Sequence, residues 1–320
     1  SNGITTTVEA GTVAHPDQVA AAAHRVGARI TLGTWGWDVD EAPFAAPAAD
    51  VIERQRAVLA TDHGPLVTPW VTLVGHDLMS DELVVAASAL AREHQTGLTF
   101  HLSPSPTDPE RYLARTGRRP VDHLANLGVL GPELLIAHGV HLDEDEMRRL
   151  AETGTTICHC PGANLKLASG IADVPGLLDA KVRVVLGADG PPCNNRLSIF
   201  HEMSLAATIH GLRHGPAAID AWTVLGMATR EAAAALHLDS KIGTLEPGKA
   251  GDAVVVELDE WSALPGGDPA SRIVYGGGPQ MIRHVVVDGR PIVVDGKLVE
   301  VDAGALRKRI DEAWTATRRR

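Results

Sequence analysis

Short apolar runs alternate with amphipathic segments along most of this chain. The runs are rich in Val, Ile and Leu, which is typical of strands buried on both faces of a parallel sheet. Seven strands are predicted in this way, at Ile4–Glu9, Ala28–Thr34, Thr68–Val74, Leu98–His101, Leu134–His138, Thr155–His159 and Val182–Gly187. Because helical patterns separate the runs, their order indicates repeated βα units and an α/β fold.

The segments between and after these strands carry the Ala- and Leu-rich periodicity of helices. The predicted helices are Pro16–Val26, Ala49–Ala60, Asp81–His94, Pro109–Arg115, Pro120–Leu127, Asp143–Glu152, Ile171–Ala180, Phe200–Leu212, Ala217–Met227 and Thr229–Leu236. The last quarter differs, because Asp-Gly pairs at 288–289 and 295–296 separate short apolar runs, a strong hairpin signal. The glycine-rich pieces 266–267 and 276–278 are interpreted as linkers and turns. We expect a (β/α) barrel over residues 1–240, a small β appendage over residues 241–302 and a helix or tail over residues 303–320.

Three polar residues lie at the carboxyl ends of predicted strands. His101 ends Leu-Thr-Phe-His, His138 ends Leu-Leu-Ile-Ala-His, and Asp189 follows Val-Val-Leu-Gly-Ala. Parallel strands joined by helices direct such residues to one mouth, where barrel enzymes build their active sites. Imidazole and carboxylate are ligands that divalent metals accept. The pattern therefore predicts a metal-dependent hydrolase site.

Composition narrows the class of protein. Of the 320 residues, 44% are apolar and 22% charged, which is typical of a soluble enzyme. The net charge of −11 disfavours a nucleic-acid partner, and no apolar stretch is long enough for a membrane span. Three cysteines and no signal-peptide pattern favour the cytoplasm. Cys158 and Cys160 are interpreted as packing in the barrel wall, with a thiolate metal site as the alternative.

Four further side chains are candidates for substrate contact: Trp35, Trp37, His76 and His159. The two tryptophans follow a strand end and could stack on a planar heterocycle, or merely pack a loop. His76 follows another strand end, where it could hold substrate or be an ordinary loop residue. Glu9 ends the first strand and is interpreted as a solvated carboxylate rather than a substrate ligand.

An ordered set of motifs links these candidates. The motifs are His101, Ala137–Leu142, His159–Leu167, Gly187–Gly190, Asn194–Asn195, Phe200–Met203, Ala228–Ala233 and Gly243–Asp252. In these residues the chain resembles the amidohydrolase superfamily, specifically its aminohydrolase branch of nucleoside, guanine and triazine deaminases and chlorohydrolases. The resemblance implies a (β/α)8-type TIM barrel with a small β-sandwich, of which seven barrel strands are visible here.

The resemblance also implies a site with one divalent metal ion. In such enzymes a His-x-His pair on the first strand, a His on the fifth and an Asp on the eighth hold the metal. The last two map onto His101 and Asp189, and a sixth-strand His beside the activated water maps onto His138. None of the fifteen histidines has another histidine two positions away, so we expect the first barrel strand to lie upstream of Ser1. Zinc is the expected metal, with iron or manganese as alternatives.

The chemistry implied by the resemblance is hydrolysis of a C–N or C–Cl bond in a small heterocyclic substrate by metal-activated water, with His138 and Asp189 as catalytic residues. A Glu normally found three residues after the fifth-strand His would transfer protons, and that position is Pro104 here. Asp108 is expected to start the next helix instead. The alternatives are a truncated or degenerate chain without activity, or a binding or assembly module completed by another chain. An exposed sheet edge would also permit homo-oligomers.

Overall fold

Parallel strands form the wall of the larger part of the fold. The computed structural model describes residues 2–39 and 43–317. The parallel strands in these ranges are β1 Thr6–Val8, β2 Arg29–Leu32, β3 Val67–Pro69, β4 Val71–Gly75, β5 Leu98–Leu102, β6 Leu134–His138, β7 Thr156–His159 and β8 Val184–Leu186. They lie in two sheets, ordered β1-β2-β3 and β4-β5-β6-β7-β8. The prediction of a parallel α/β fold is confirmed.

The predicted strand Thr68–Val74 is two strands, because its neighbours change at Trp70. Trp70 N donates to Leu32 O of β2 at 2.9 Å, whereas Val71 N donates to Gly97 O, just before β5, at 3.0 Å. The Trp70 side chain is buried at this change of partner. The segment that contains β3 and β4 therefore belongs to both sheets. If β3 and β4 are counted as one strand, the two sheets form a continuous wall of seven strands.

Helices lie on the connections between the strands, and a last helix follows the last strand. They are α1 Pro16–Val26, α2 Ala48–Ala60, α3 Asp81–Glu93, α4 Asp108–Thr116, α5 Pro120–Asn126, α6 Glu144–Thr153, α7 Pro161–Lys166, α8 Val174–Asp179, α9 Pro191–Asn194, α10 Ile199–Thr208, α11 Gly211–His214, α12 Ala221–Met227, α13 Arg230–Ala235, α14 Pro269–Gly276 and α15 Ala303–Thr317. The predicted helix Phe200–Leu212 is thus interrupted between α10 and α11, where Gly211 has low helix propensity. Across the described ranges, no helix is both long and apolar enough to cross a bilayer.

Helix α3 illustrates how the wall is covered. The Ser80 hydroxyl caps it by accepting from Leu83 N at 3.0 Å. Its apolar face then packs into the main core, and the residues it buries are Leu83, Val84, Ala87, Ser88, Leu90 and Ala91. Burial of such a face supplies most of the stability of a helix in a globular protein.

Helix α14 lies between the two glycine-rich pieces and includes only Gly276 of the second, so at that residue the interpretation as a linker or turn is wrong. Asp268 caps the helix by accepting from Ser271 N at 2.9 Å, and Pro269 takes the first position. Ala270 and Val274 are buried. The N-cap signal of Asp268 was overlooked in the sequence because the helix is only two turns long and glycines flank it.

The C-terminal portion is a four-stranded antiparallel sheet. Its strands are β9 Ala253–Val256, β10 Ile282–Val287, β11 Arg290–Val294 and β12 Lys297–Leu298, ordered β12-β11-β10-β9. The predicted hairpins are present, since Asp288–Gly289 and Asp295–Gly296 form the two tight turns with positive φ at all four residues. The domain boundaries at 240 and 302 stay predictions.

A buried ion pair joins this sheet to the parallel wall. Arg29 on β2 donates from Nη2 to Asp252 Oδ1 at 3.0 Å and from Nε to Oδ2 at 3.3 Å. Both side chains are nearly inaccessible, at 6% and 5% exposure. Asp252 also accepts from Asp288 N at 2.8 Å, which ties the first hairpin to the same carboxylate. The pair therefore holds two parts of the chain that are distant in sequence.

We predict that Arg29→Met lowers the free energy of unfolding by about 3 kcal/mol, because it leaves the Asp252 carboxylate buried without its cation. Arg283→Met is the matched control, since Arg283 pairs with Glu257 at a half-exposed position. Its cost should stay below about 1 kcal/mol. Urea denaturation of both variants measures the difference, and equal small losses would contradict the structural role given to Arg29.

Candidate active site

The three polar residues predicted at strand ends lie together. His101 belongs to β5, His138 is the last residue of β6, and Asp189 comes shortly after β8. The ring centroids of His101 and His138 are 5.3 Å apart, and His138 Nε2 lies 3.8 Å from Asp189 Oδ2. The side chains of His138 and Asp189 are only 5% and 13% exposed. The structure thus brings the three together in a largely desolvated cluster, while their chemical roles stay predictions.

The orientation of His101 is set by a backbone carbonyl. His101 Nδ1 lies 2.6 Å from Val74 O on the neighbouring strand β4. Because a carbonyl oxygen only accepts, the ring proton is assigned to Nδ1. Nε2 is then the nitrogen with a lone pair, as is usual for a histidine that binds a metal ion.

His138 is held by a side chain on the next connection. Its Nδ1 lies 2.8 Å from Oδ1 of Asn164 on α7. Burial lowers the pKa of His138, nearby His101 lowers it further, and the Asp189 carboxylate opposes both. Burial therefore favours the neutral imidazole, with Nδ1 carrying the proton and Nε2 on the side of Asp189.

A buried carboxylate supports the segment that carries Asn164. Glu202 on α10 is fully buried and accepts from Gly162 N and from Asn194 Nδ2, both at 2.8 Å. A Cβ added at Gly162 would lie 2.7 Å from Glu202 Oε1, so the backbone here approaches the carboxylate too closely for any larger residue. Gly162, Asn194 and Glu202 all belong to the motifs of the sequence. Only the structure shows that their contacts position Asn164 and, through it, His138.

The backbone is strained where these strands end. Ser103 after β5, His138 at the end of β6 and Asp189 after β8 have φ values of 50°, 76° and 60°. Non-glycine residues rarely adopt such values, and they persist where the surroundings enforce them, often at functional sites. Strain at three strand ends around one cluster supports the assignment of this mouth as the candidate site.

Trp35 and Trp37 form an aromatic cluster beside the strand that orients His101. Their rings meet edge to face at 4.4 Å, and Trp35 stacks on Phe44 at 4.5 Å. Between them, Gly36 O accepts from Val74 N at 2.9 Å. Both indole N–H groups are buried, and neither has a hydrogen-bond partner in the described residues. The position is compatible with substrate contact, which stays a prediction for both tryptophans.

The other two substrate candidates differ in what the structure says of them. His76 follows β4 at the expected place, but its side chain lies outside the described residues. His159 is completely buried, with its ring 5.5 Å from that of His210. Neither ring nitrogen of His159 has a partner in the described part of the chain. A substrate could touch His159 only if neighbouring groups moved, so its contact with substrate stays a prediction that this geometry does not support.

Glu9 differs from its predicted solvated state. The residue is 8% exposed, its Oε1 accepts from Thr12 N, and its Oε2 accepts from the Thr72 hydroxyl at 3.1 Å. The interpretation as a solvated carboxylate is therefore wrong. A carboxylate at a strand end can be buried when donors reach it, here Thr12 from the loop that follows and Thr72 from β4, and Thr72 is too remote in sequence to be foreseen.

The cysteine pair packs within the wall. Cys158 Sγ and Cys160 Sγ lie 3.9 Å apart, and a Cβ at Gly187 would come within 2.6 Å of Cys158 Sγ. Hydrogen bonding to Cys158 and burial raise the pKa of Cys160, which favours the protonated thiol over a metal-binding thiolate. These contacts agree with the predicted packing role.

The donors suit a divalent metal in type but not in number. His101 Nε2 and the Asp189 carboxylate are ordinary zinc ligands, and both belong to the cluster. A catalytic zinc site uses three protein ligands. Among residues 2–39 and 43–317, no group of three or more His, Cys, Asp or Glu side chains is placed to hold a metal ion. The described residues therefore do not make a complete zinc site, and the ligand roles of His101 and Asp189 stay predictions.

Asp108 does not replace the acid that Pro104 lacks. It begins α4, as expected, and is 5% exposed. One carboxylate oxygen accepts from Ser105 N and the other from Arg111 Nη2, both at 2.9 Å. These bonds engage both oxygens of Asp108 in supporting the loop after β5, so it is poorly suited to donate a proton to a substrate.

The parallel βα wall with imidazole and carboxylate groups at its carboxyl edge defines a TIM-barrel enzyme of the hydrolase class. The profile of the amidohydrolase family matches residues 1–292, and the chain belongs to that family of hydrolytic enzymes. Its relatives and structural neighbours place it in the aminohydrolase branch.

Among its relatives is the 5-methylthioadenosine/S-adenosylhomocysteine deaminase of Syntrophobacter fumaroxidans, 35% identical over 295 residues. That match covers 92% of this chain and 67% of the relative. The deaminase of the same name from Nitratidesulfovibrio vulgaris is 36% identical, with 86% of this chain and 62% of the relative covered. This chain thus spans about two thirds of the length of these relatives.

Solved structures are similar over nearly the whole chain. An adenosine deaminase from Xanthomonas campestris with bound zinc has a TM-score of 0.90 at 28% identity, covering all of this chain and 72% of that one. Atrazine chlorohydrolase from Arthrobacter aurescens, complexed with zinc, has a TM-score of 0.88 at 23% identity and covers 96% and 72%. The second similarity supports the fold alone.

The buried pair His159 and His210 makes stability depend on pH. Burial lowers the pKa of His159 to about 3 and that of His210 to about 4. Because the unfolded residues titrate near about 6.5, the unfolded state binds more protons below that pH, and acid destabilises the fold. We predict that lowering the pH from about 7 to about 5 reduces the free energy of unfolding by about 2 kcal/mol for each of the two histidines.

Urea denaturation at both pH values tests this dependence. His210→Gln should make the loss between the two pH values smaller, because it removes one of the two buried titrating groups. His284→Gln is the control, since the side chain of His284 is half-exposed. An unchanged pH dependence in His210→Gln would show that His210 is solvated or charged in the folded protein.

Proposed function

We propose that this protein is a metal-dependent deaminase that hydrolyses the exocyclic C–N bond of an adenine nucleoside or a related small heterocycle. The observation that carries the proposal is the cluster of His101, His138 and Asp189 at the ends of β5, β6 and β8. The named activity of the 5-methylthioadenosine/S-adenosylhomocysteine deaminases suggests the substrate class. The overall change is addition of water and release of ammonia.

His101 and Asp189 would hold the divalent ion, zinc being the first choice. A divalent ion, when bound, supplies Lewis acidity that activates water near neutral pH. Because the Val74 carbonyl holds the ring proton on Nδ1, Nε2 would be the coordinating nitrogen of His101. Completion of the site requires at least one further protein donor beyond the described cluster.

His138 and Asp189 would manage the charge and the protons. The Nδ1 proton of His138 is held by Asn164, so Nε2 accepts a hydrogen bond from the attacking water or stabilises its orientation. Asp189 takes the proton that the water loses as its oxygen bonds to the ring carbon. The same carboxylate then gives a proton to the leaving nitrogen, which departs as ammonia.

Pro104 distinguishes this chain within the proposed mechanism. No side chain at that position can protonate a ring nitrogen of the substrate, and Asp108 is occupied by Ser105 and Arg111. A positioned general acid contributes about 10²- to 10⁴-fold in rate. Slow turnover is therefore expected unless the substrate is activated toward attack.

Two observations support a second candidate, a chain that is inactive alone or is completed by another segment. In the part of the chain that the structure describes, the metal donors fall short of a full set, and both ends of the parallel wall, β1 and β8, have one neighbour each. In that case the same cluster would bind metal and substrate only after completion.

We predict that zinc binds this chain weakly and through the cluster. Asp189→Asn should weaken zinc binding at least about tenfold, because it removes an anionic ligand. His284 is half-exposed and remote in sequence from the cluster, so His284→Gln is the control and should not change binding. Competition with a chromophoric chelator measures the affinity. Retention of about one zinc per chain through dialysis in both variants would place the metal elsewhere.

We predict slow release of ammonia from adenosine or 5′-methylthioadenosine when zinc is supplied. Asp189→Asn should reduce the rate by about 10² or more, because it removes the proton acceptor, while His284→Gln should retain it. An ammonia assay on the full 320-residue chain gives the rate. Chloride release from a chlorinated triazine without ammonia release would assign the chlorohydrolase reaction instead. Zinc binding with neither product would favour the incomplete chain.

A further inference from the structure

The C-terminal helix α15 presents an apolar stripe to solvent. All fifteen of its residues, Ala303–Thr317, are exposed. Leu306, Ile310 and Trp314 are four residues apart and 44%, 58% and 61% exposed. Residues four apart lie on one face of a helix, so the three form a continuous stripe.

Such a helix needs a covering surface to be stable. Helices of about 12 to 15 residues are marginal in water, and their stability in proteins comes from packing an apolar face. In the described residues, α15 buries none of its side chains. The stripe is narrow and lies on a single helix, which suits another helix better than a sheet or a pocket.

The charges beside the stripe identify the partner. At about 100° per residue, Arg307 and Asp311 lie on the same flank, about 60° and 100° from Ile310. Lys308 and Glu312 lie on the opposite face, where they pair with each other at 3.9 Å. Arg307 and Asp311 are therefore the cation and the anion that can reach past the apolar stripe to a helix packed on it.

We propose that α15 pairs with α15 of a second copy of this chain, antiparallel about a two-fold axis at Ile310. In an isologous contact each flank meets its own copy. Arg307 then lies beside Asp311 of the partner subunit, and the reciprocal pair forms at the other end. Leu306 packs toward Trp314 of the partner subunit, so the seam is apolar along its length.

The proposed contact is weak and concentration-dependent. One pair of fifteen-residue helices is small beside the roughly 1,200 Å² or more of a stable interface. Arg309 on the other flank faces its own copy, and so does Asp311, which is one residue from the axis, and both like-charge contacts further limit affinity. The association should accordingly be measured over a wide range of protein concentration.

Sedimentation equilibrium of the full chain and its charge variants tests the pairing. R307E and D311R should each weaken self-association about tenfold, because two attractive contacts become repulsive. An equimolar mixture of R307E and D311R should recover it, since in the mixed dimer both reciprocal contacts again join opposite charges. K308E makes the same charge change on the opposite face and should leave association unchanged.

Three results would overturn the proposal. A chain that stays monomeric at every concentration lacks the contact. Association that survives both R307E and I310E uses another surface, such as the sheet edges at β1 and β8. Tighter association of R307E would indicate parallel helices, because Arg307 would then face Arg309 of the partner subunit. Recovery by mixing two variants that each fail alone cannot arise from misfolding, so the test separates pairing from loss of structure.

Discussion

The register of the parallel sheet β4 to β8 is the constraint on which the site depends. His101 on β5 lies opposite Ala137 on β6, which lies opposite Cys158 on β7 and then Val185 on β8. His138 lies opposite Leu102, so strand alternation alone would direct it to the other face from His101. The left-handed backbone of His138, with φ 76°, departs from this alternation at the strand end, where the two rings lie 5.3 Å apart. The ladder hydrogen bonds thus bring the strand ends side by side, and the left-handed backbone at His138 and Asp189 accompanies the meeting of the imidazoles and the carboxylate.

The strand register does not by itself orient a side chain. Hydrogen bonds to buried acceptors orient the two imidazole rings. Val74 O selects the tautomer of His101, and Asn164 selects that of His138. Asn164 is in turn held in place by the segment that Glu202 anchors through Gly162. Loss of either imidazole would leave its acceptor as an unsatisfied polar group in a desolvated region. The same contacts therefore stabilise the fold and prepare the site.

Much of the fold follows from local patterns, whereas the site depends on distant contacts. The strand Leu134–His138 and the helix Pro16–Val26 occur as predicted, because apolar periodicity and flanking turn residues specify them. Glu9 was misinterpreted because its partner Thr72 is remote in sequence. The division of one strand at Trp70 was missed for the same reason. Sequence patterns indicate which residues stand at strand ends, but burial and donors depend on which strands become neighbours.

The shortage of metal donors and the open edges of the wall share one location. In the described residues β1 pairs only with β2 and β8 only with β7, so the gap in the wall lies between these two strands. Glu9 follows β1 and Asp189 follows β8, which places a carboxylate on either side of that gap. A strand that paired with both edges would end between these carboxylates and could bring further donors to the ion. Completion of the sheet and completion of the metal site would then be one event, driven by the same backbone hydrogen bonds.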